Sequence, residues 1–311
     1  MLKEKLRGVV VATVLPFQKN GRIDWDDYEG VLDYCAKPAG ISAVFVNGHA
    51  GECSSLTISE RSEVIKRTRK ALGDSKPIMA GVIPNTWDEG IEQAREAQKA
   101  GADCAVLFPL PAFQGNAAAG TAAPVAYVKA IAAAVDMPVS IFQYPISTGS
   151  AYGTETLVEI AQIKNLCMIK EGSGDPALYA ENLRRIRAIA PHISMMPTNA
   201  TWIMAQIAIG GDGILSGFSS LAPRWLVDLW SATEAGDLAS MRRIDEQMNP
   251  LLRSIFAGPR MDVYSRIKYA LHYLGIIKNT TPRPPLLPIG ADTERRISAA
   301  VEASGLRSFI A

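Results

Sequence analysis

Short apolar runs rich in β-branched residues alternate along the chain with longer stretches whose apolar residues recur every three or four positions. The short runs read as buried strands and the longer stretches as helices with one face on a core. Residues 9–15 form the first run. A turn at Asn20-Gly21 follows, then a helix opening at Asp24, whose carboxylate suits an N-cap. Strand 43–46 precedes helix 59–72, strand 77–82 precedes helix 86–100, and strand 105–108 precedes a helix over 124–135. A loop rich in proline, alanine and glycine separates that last pair. The series continues with strand 139–142 and helix 154–162, 166–170 and 176–190, 194–196 and 202–209, then 213–215 and a helix from Pro223.

Eight strand–helix units in succession predict a parallel sheet, and eight of this length predict that it closes into a (β/α)8 TIM barrel. The alternative α/β arrangement, a doubly wound open sheet, wants a Gly-x-Gly-x-x-Gly turn after an early strand, and the chain has none. Strands cease near residue 237. Segments 238–256, 261–274 and 292–304 read as helices, and 282–288 as an extended, proline-rich connector. The expected division is a barrel over residues 1–230 that carries the active site, and a C-terminal helical appendage over 231–311.

Composition adds mostly exclusions. With 311 residues, 48% hydrophobic and 20% charged, the chain can bury a sizeable core. A net charge of +1 offers nothing to nucleic acid or an anionic membrane. Residues 1–7 alternate charged and apolar side chains, unlike a leader, and no apolar run approaches the roughly 20 residues of a membrane span. Cys35, Cys53, Cys104 and Cys167 stand singly among apolar neighbours, which suits reduced thiols in a cytoplasmic protein. His49, His192 and His272 have no ligand-like neighbours at metal spacing, so neither a metal nor a cofactor is expected.

In such barrels the chemistry sits at the carboxyl ends of the strands. The sixth strand ends in Ile169-Lys170-Glu171 before a Gly172-Ser173-Gly174 turn. A lysine there has its stem among apolar groups and its amine near a cavity. Desolvation disfavours the ammonium form and can leave a nucleophilic amine, able to condense with a ketone. The simpler reading is a lysine reaching out of a strand end to water. Strand alternation points Glu171 outward, toward a structural role. The other strand ends supply Asn47-Gly48-His49-Ala50-Gly51-Glu52, Phe142-Gln143-Tyr144-Pro145-Ile146-Ser147-Thr148-Gly149, Thr198-Asn199 and Leu215-Ser216-Gly217. Glycine-flanked turns of this kind expose backbone N–H groups that can cradle a carboxylate, or merely permit a tight bend. The Gly172–Gly174 turn could hold a phosphate at a helix start, while Gly210-Gly211-Asp212-Gly213 precedes a strand and reads as structural.

These four elements, Gly48-x-x-Gly51-Glu52, Pro145-x-x-Thr148-Gly149, Ile169-Lys170-Glu171 and Gly213-x-x-Ser216-Gly217, resemble in order and interval the dihydrodipicolinate synthase and N-acetylneuraminate lyase family of pyruvate-dependent lyases. The resemblance runs over nearly the whole chain. It implies a (β/α)8 barrel, a Schiff base between Lys170 and pyruvate or another 2-oxo acid, and a carboxylate resting on the backbone of His49 and Ala50. Gly48, Gly51, Phe142, Thr198, Leu215, Ser216 and Gly217 would complete the substrate site, with no cofactor. A homotetramer built as a dimer of dimers, or a homodimer, is expected by the same analogy.

Departures from the family pattern bear on substrate. Members that make dihydrodipicolinate carry two threonines where this chain has His49 and Ala50, a catalytic tyrosine at the position of Phe142, and an arginine at that of Ser147. Their Pro-Tyr-Tyr segment has no counterpart in Pro109-Leu110-Pro111. Dihydrodipicolinate synthesis is therefore not expected. Tyr144 and His49 are the candidates to move protons in place of the missing tyrosine. The neutral Thr198 and Asn199 suggest a partner with few hydroxyls. The expected activity is a Schiff-base aldolase or dehydratase, for instance on a 2-keto-3-deoxy sugar acid. The alternatives are a non-catalytic descendant that binds an oxo acid, and a phosphate-sugar barrel enzyme using the glycine turns.

Overall fold

Eight parallel strands lie in one sheet of the computed structural model, which describes residues 6–115, 120–198 and 200–309. Asn199, and parts of the 1–7 segment and of the alanine-rich loop, fall outside those residues. The strands are β1 (Gly8–Ala12), β2 (Ile41–Val46), β3 (Ile78–Val82), β4 (Cys104–Leu107), β5 (Val139–Gln143), β6 (Leu166–Glu171), β7 (Ser194–Pro197) and β8 (Gly213–Ser216). From β1 to β7 each strand pairs with the next in sequence, and β8 returns to pair with β1. At the remaining seam, between β7 and β8, the N–H of Asp212 donates to the Met195 carbonyl at 2.9 Å. The Met195 N–H donates in turn to the Asp212 carboxylate, also at 2.9 Å. A side chain thus completes the ring where the ladder stops, and the barrel is nearly closed.

The intervening helices are α1 (Trp25–Cys35), α2 (Ile58–Leu72), α3 (Trp87–Lys99), α4 (Ala122–Ala134), α5 (Thr154–Ile160), α6 (Pro176–Ile189), α7 (Ile203–Ile209) and α8 (Pro223–Glu234). Polar side chains set several starts. Asp24 and Asp175 accept backbone N–H groups at α1 and α6, and Thr57 with Glu60 forms a reciprocal capping box at α2. Strand β1 stops at Ala12, short of the expected residue 15. Beyond it the Val14 N–H donates to the Ser220 hydroxyl instead of to a neighbouring strand.

Alternation along each strand sorts the core into layers. Val10, Phe45, Val106, Phe142, Met168, Met196 and Leu215 fill the barrel interior. The outward residues pack beneath the helices. A further apolar cluster joins β1 and α8 to α9 (Leu238–Ile255), α10 (Val263–Tyr273) and α11 (Ala291–Ser304), so the C-terminal helices share a core with one side of the barrel. None of the four cysteines is in a disulfide, although the fold brings the Cys104 and Cys167 sulfurs within 3.6 Å. Among the described residues no helix is long and apolar enough to cross a membrane. No group of three or more His, Cys, Asp or Glu there could hold a metal ion.

Candidate active site

Lys170 ends the inward-facing row of β6, in register with Phe142 on one side and Met196 on the other. It is only 5% exposed. Its ammonium nitrogen lies 4.6 Å from the centre of the Phe142 ring and 4.9 Å from that of Phe45. No carboxylate pairs with it among the described residues. Burial pulls its pKa down to about 7, opposed only by the neighbouring Cys53. Glu171, one residue on, faces outward as alternation requires. Its carboxylate accepts from the Ser173 N–H and hydroxyl and from Asn182 on α6. Ser173 is therefore committed to Glu171, which removes a donor that a phosphate at the Gly172–Gly174 turn would need.

A cavity of about 410 Å³ opens over the Lys170 amine. His49, Phe142, Tyr144, Lys170, Thr198 and Gly217 all line it, brought from the ends of five different strands. Gly48, Ala50, Gly51, Leu215 and Ser216 do not line it. A Cβ at Gly48 would come within 2.5 Å of the Phe45 ring that flanks Lys170, and Ser216 caps the turn after β8. After β2 the chain makes a helical turn whose bonds are donated by the N–H groups of Gly51, Glu52 and Cys53. Those of His49 and Ala50, at its start, take no part in these bonds.

Tyr144 and His49 meet in the cavity wall. The tyrosine hydroxyl lies 2.9 Å from His49 Nε2, with either partner able to donate. The His49 ring packs edge-on against Phe108 at 5.0 Å and Phe142 at 5.7 Å. Burial, and then the charge of Lys170, lowers the imidazole pKa to about 4. Burial also raises the Tyr144 hydroxyl above its ordinary value. At neutral pH the pair is thus an uncharged imidazole beside an uncharged phenol. The β5 loop that carries Tyr144 is pinned by Gln143, which exchanges two hydrogen bonds with the Tyr152 backbone at 2.8 and 2.9 Å.

Several lining residues have no signal in the linear sequence. Tyr264, on α10, reaches the cavity across Gly217; a Cβ on that glycine would sit 2.8 Å from the tyrosine ring. Burial pushes its hydroxyl up to about 12. Phe256, Arg260, Met261, Val263, Pro285 and Leu286 join it from the C-terminal region. Glu52, held in a left-handed conformation at φ 51°, is ion-paired with the fully buried Lys268 of α10 and accepts from the Arg283 N–H at 2.8 Å.

Residues 5–304 match the model of the dihydrodipicolinate synthetase family. The chain is 31% identical over 300 residues to 4-hydroxy-tetrahydrodipicolinate synthase of Kosmotoga olearia, covering 96% of this chain and 99% of that one. Its fold superposes on the crystal structure of dihydrodipicolinate synthase from Thermotoga maritima with a TM-score of 0.89, at 25% identity, over 97% of this chain and all of that one. The enzyme of Acinetobacter baumannii, solved with pyruvate, gives a TM-score of 0.86 at 26% identity, over 97% and 99% of the two chains.

Proposed function

Because the chain belongs to the dihydrodipicolinate synthetase family of pyruvate-dependent lyases, we propose that it is a Schiff-base aldolase or dehydratase acting on pyruvate or a larger 2-oxo acid. The observation that carries this reading is a buried, unpaired lysine amine facing the same cavity as a hydrogen-bonded tyrosine and histidine. In this reading the uncharged amine of Lys170 adds to the C2 carbonyl, and the resulting hydroxyl leaves as water after taking a proton. A proton then leaves C3, and the electrons of that C–H bond form the C2–C3 double bond of an enamine as the iminium nitrogen is neutralised; enamine C3 attacks an aldehyde. Run in reverse, the same steps cleave a C–C bond; loss of a hydroxyl from the sugar-acid chain gives the dehydratase.

The proton source is Tyr144. With the proton of His49 on Nε2, that nitrogen donates to the tyrosine oxygen and leaves the tyrosine's own proton for the substrate. The carboxylate of the oxo acid rests on the N–H groups of His49 and Ala50, and Gly48, Gly51, Phe142, Thr198, Leu215, Ser216 and Gly217 shape or support the site. Phe142, Ser147, His49 and Ala50 stand where dihydrodipicolinate formation needs hydroxyls and a guanidinium, so that reaction is not the activity. The catalytic barrel is assigned to residues 1–230 and the helical appendage to 231–311. A homodimer or a dimer-of-dimers tetramer in the cytoplasm is part of the same reading, and sedimentation would measure the assembly.

Incubation with pyruvate and borohydride is expected to leave a reduced adduct on Lys170 by mass spectrometry, and none in Lys170→Ala. If no adduct forms with any of several 2-oxo acids, the lyase reading falls. The loss of the family's tyrosine and arginine favours one competitor, a non-catalytic oxo-acid binder. It requires binding without turnover, and no borohydride adduct on Lys170 of the wild type.

A further inference from the structure

The inner end of the cavity is occupied, in the reading above, by the oxo acid on Lys170. Whatever extends beyond C3 must lie against the outer wall. Six carbon-rich side chains from the C-terminal region form much of that wall: Phe256, Met261, Val263, Tyr264, Pro285 and Leu286. A polyhydroxylated chain needs a donor or acceptor for each hydroxyl it desolvates; within this wall the buried polar group is the Tyr264 oxygen, while Arg260, Ser54 and Ser147 stand solvent-exposed at the rim and Thr198 lies on the barrel side. Of the charged groups lining the outer part, Glu52 is already taken by Lys268 and Arg283, and Arg260 sits exposed at the rim, where water already serves it. The Thr148 hydroxyl is spent on the Pro145 carbonyl at 2.7 Å. Met261 is 58% exposed, and Leu286 is partly so. Apolar surface left open at the mouth of a cavity is what a ligand covers. A volume of about 410 Å³ also exceeds what a three-carbon acid can fill.

We infer that the second half of the substrate is apolar: the aldehyde partner, or the 4-substituent of the 2-oxo acid, carries a ring or hydrocarbon chain in place of a polyol. This rests on the Schiff-base reading and specifies its substrate class. In the condensing direction, enamine C3 bonds to the aldehyde carbon and the aldehyde oxygen takes a proton. Water then releases Lys170 and a 4-hydroxy-2-oxo acid that holds every atom of both reactants.

Binding separates the two readings. Calorimetry on Lys170→Ala with 2-oxo-4-phenylbutanoate, 2-oxobutanoate and 2-keto-3-deoxygluconate is expected to rank the phenyl acid first, by at least about tenfold. In Lys170→Ala carrying Met261→Ser and Leu286→Ser, at the open mouth of the cavity, the ratio of phenyl acid to 2-oxobutanoate should fall toward one, with 2-oxobutanoate itself unchanged. Equal or tighter binding of the sugar acid, or a ratio unmoved by the two serines, overturns the inference. Borohydride trapping of pyruvate on the wild type reports on Lys170 alone, so that reading stands or falls separately.

Discussion

Lys170 and Glu171 are consecutive, both buried, and shifted by the same cause in opposite directions. Burial disfavours charge, so the lysine falls to about 7 and the carboxyl rises to about 7. The rings of Phe45 and Phe142 favour the ammonium by about 0.5–2 kcal/mol, which does not undo the desolvation. Pyruvate trapping on Lys170 is therefore expected to rise with pH through about 7 and level off. A lysine at the ordinary value near 10.4 would keep gaining rate well beyond that point. His49, with its pKa about 4, adds no inflection there, but Glu171 could. Glu171→Gln separates them: if the inflection belongs to Lys170 it survives the change. The same variant tests stability. The Glu171 pKa is raised from 4.5 on folding, so its contribution is intact below pH 4.5 and is lost as pH rises through 7, roughly 3 kcal/mol in all. Glu171→Gln should melt higher than the wild type at pH 8 and show no such advantage at pH 4. An equal difference at both pH values would contradict the assignment.

Elements were the most legible level. Period-2 and period-3.6 patterning, with caps at Asp24, Thr57 and Asp175, places the strands and helices within a few residues of where they occur. Lys170, His49, Tyr144, Phe142, Thr198 and Gly217 could be placed at the barrel mouth because each ends a strand or begins the loop after it. Their pairing could not be read. The Tyr144–His49 hydrogen bond joins loops 95 residues apart and depends on how far β5 runs before its loop turns. Tyr264 left no trace at all, since on α10 it is one aromatic residue on an amphipathic helix until Gly217 lets it lean over the cavity. The tyrosine–histidine contact makes a prediction at this scale. Tyr144→Phe should lower kcat by about a hundredfold or more while sparing the KM for pyruvate. His49→Gln, which keeps an N–H for the tyrosine oxygen, should retain more of the rate. Equal losses in the two variants would mean that histidine acts on the substrate directly.

At the scale of the whole molecule, the C-terminal region is fastened to the loop that carries His49. Lys268 of α10 pairs with Glu52, and its amine also donates to the Thr281 carbonyl at 3.1 Å. Arg283 gives its N–H to Glu52 and its guanidinium to Glu60 on α2, at 2.7 and 2.9 Å. The ring of Phe17 lies against both cations, 4.3 Å from the lysine nitrogen and 4.5 Å from the guanidinium. Burial lowers the pKa of Lys268 and the Glu52 charge opposes that fall, so the ammonium depends on its partner. A buried pair of this kind contributes little net stability against an apolar replacement, but breaking it strands a charge. Lys268→Met should therefore destabilise by about 3–5 kcal/mol, because Glu52 then keeps only the Arg283 N–H. Adding Glu52→Gln should restore much of that loss by removing the stranded charge. Denaturant melts of the two single variants and the double variant close the cycle. Additive losses would show that the two side chains act independently. A recovering double variant would show that Lys268 and Glu52 are coupled across the contact between the C-terminal region and the loop carrying His49, and that the loss in Lys268→Met is the stranded Glu52 charge.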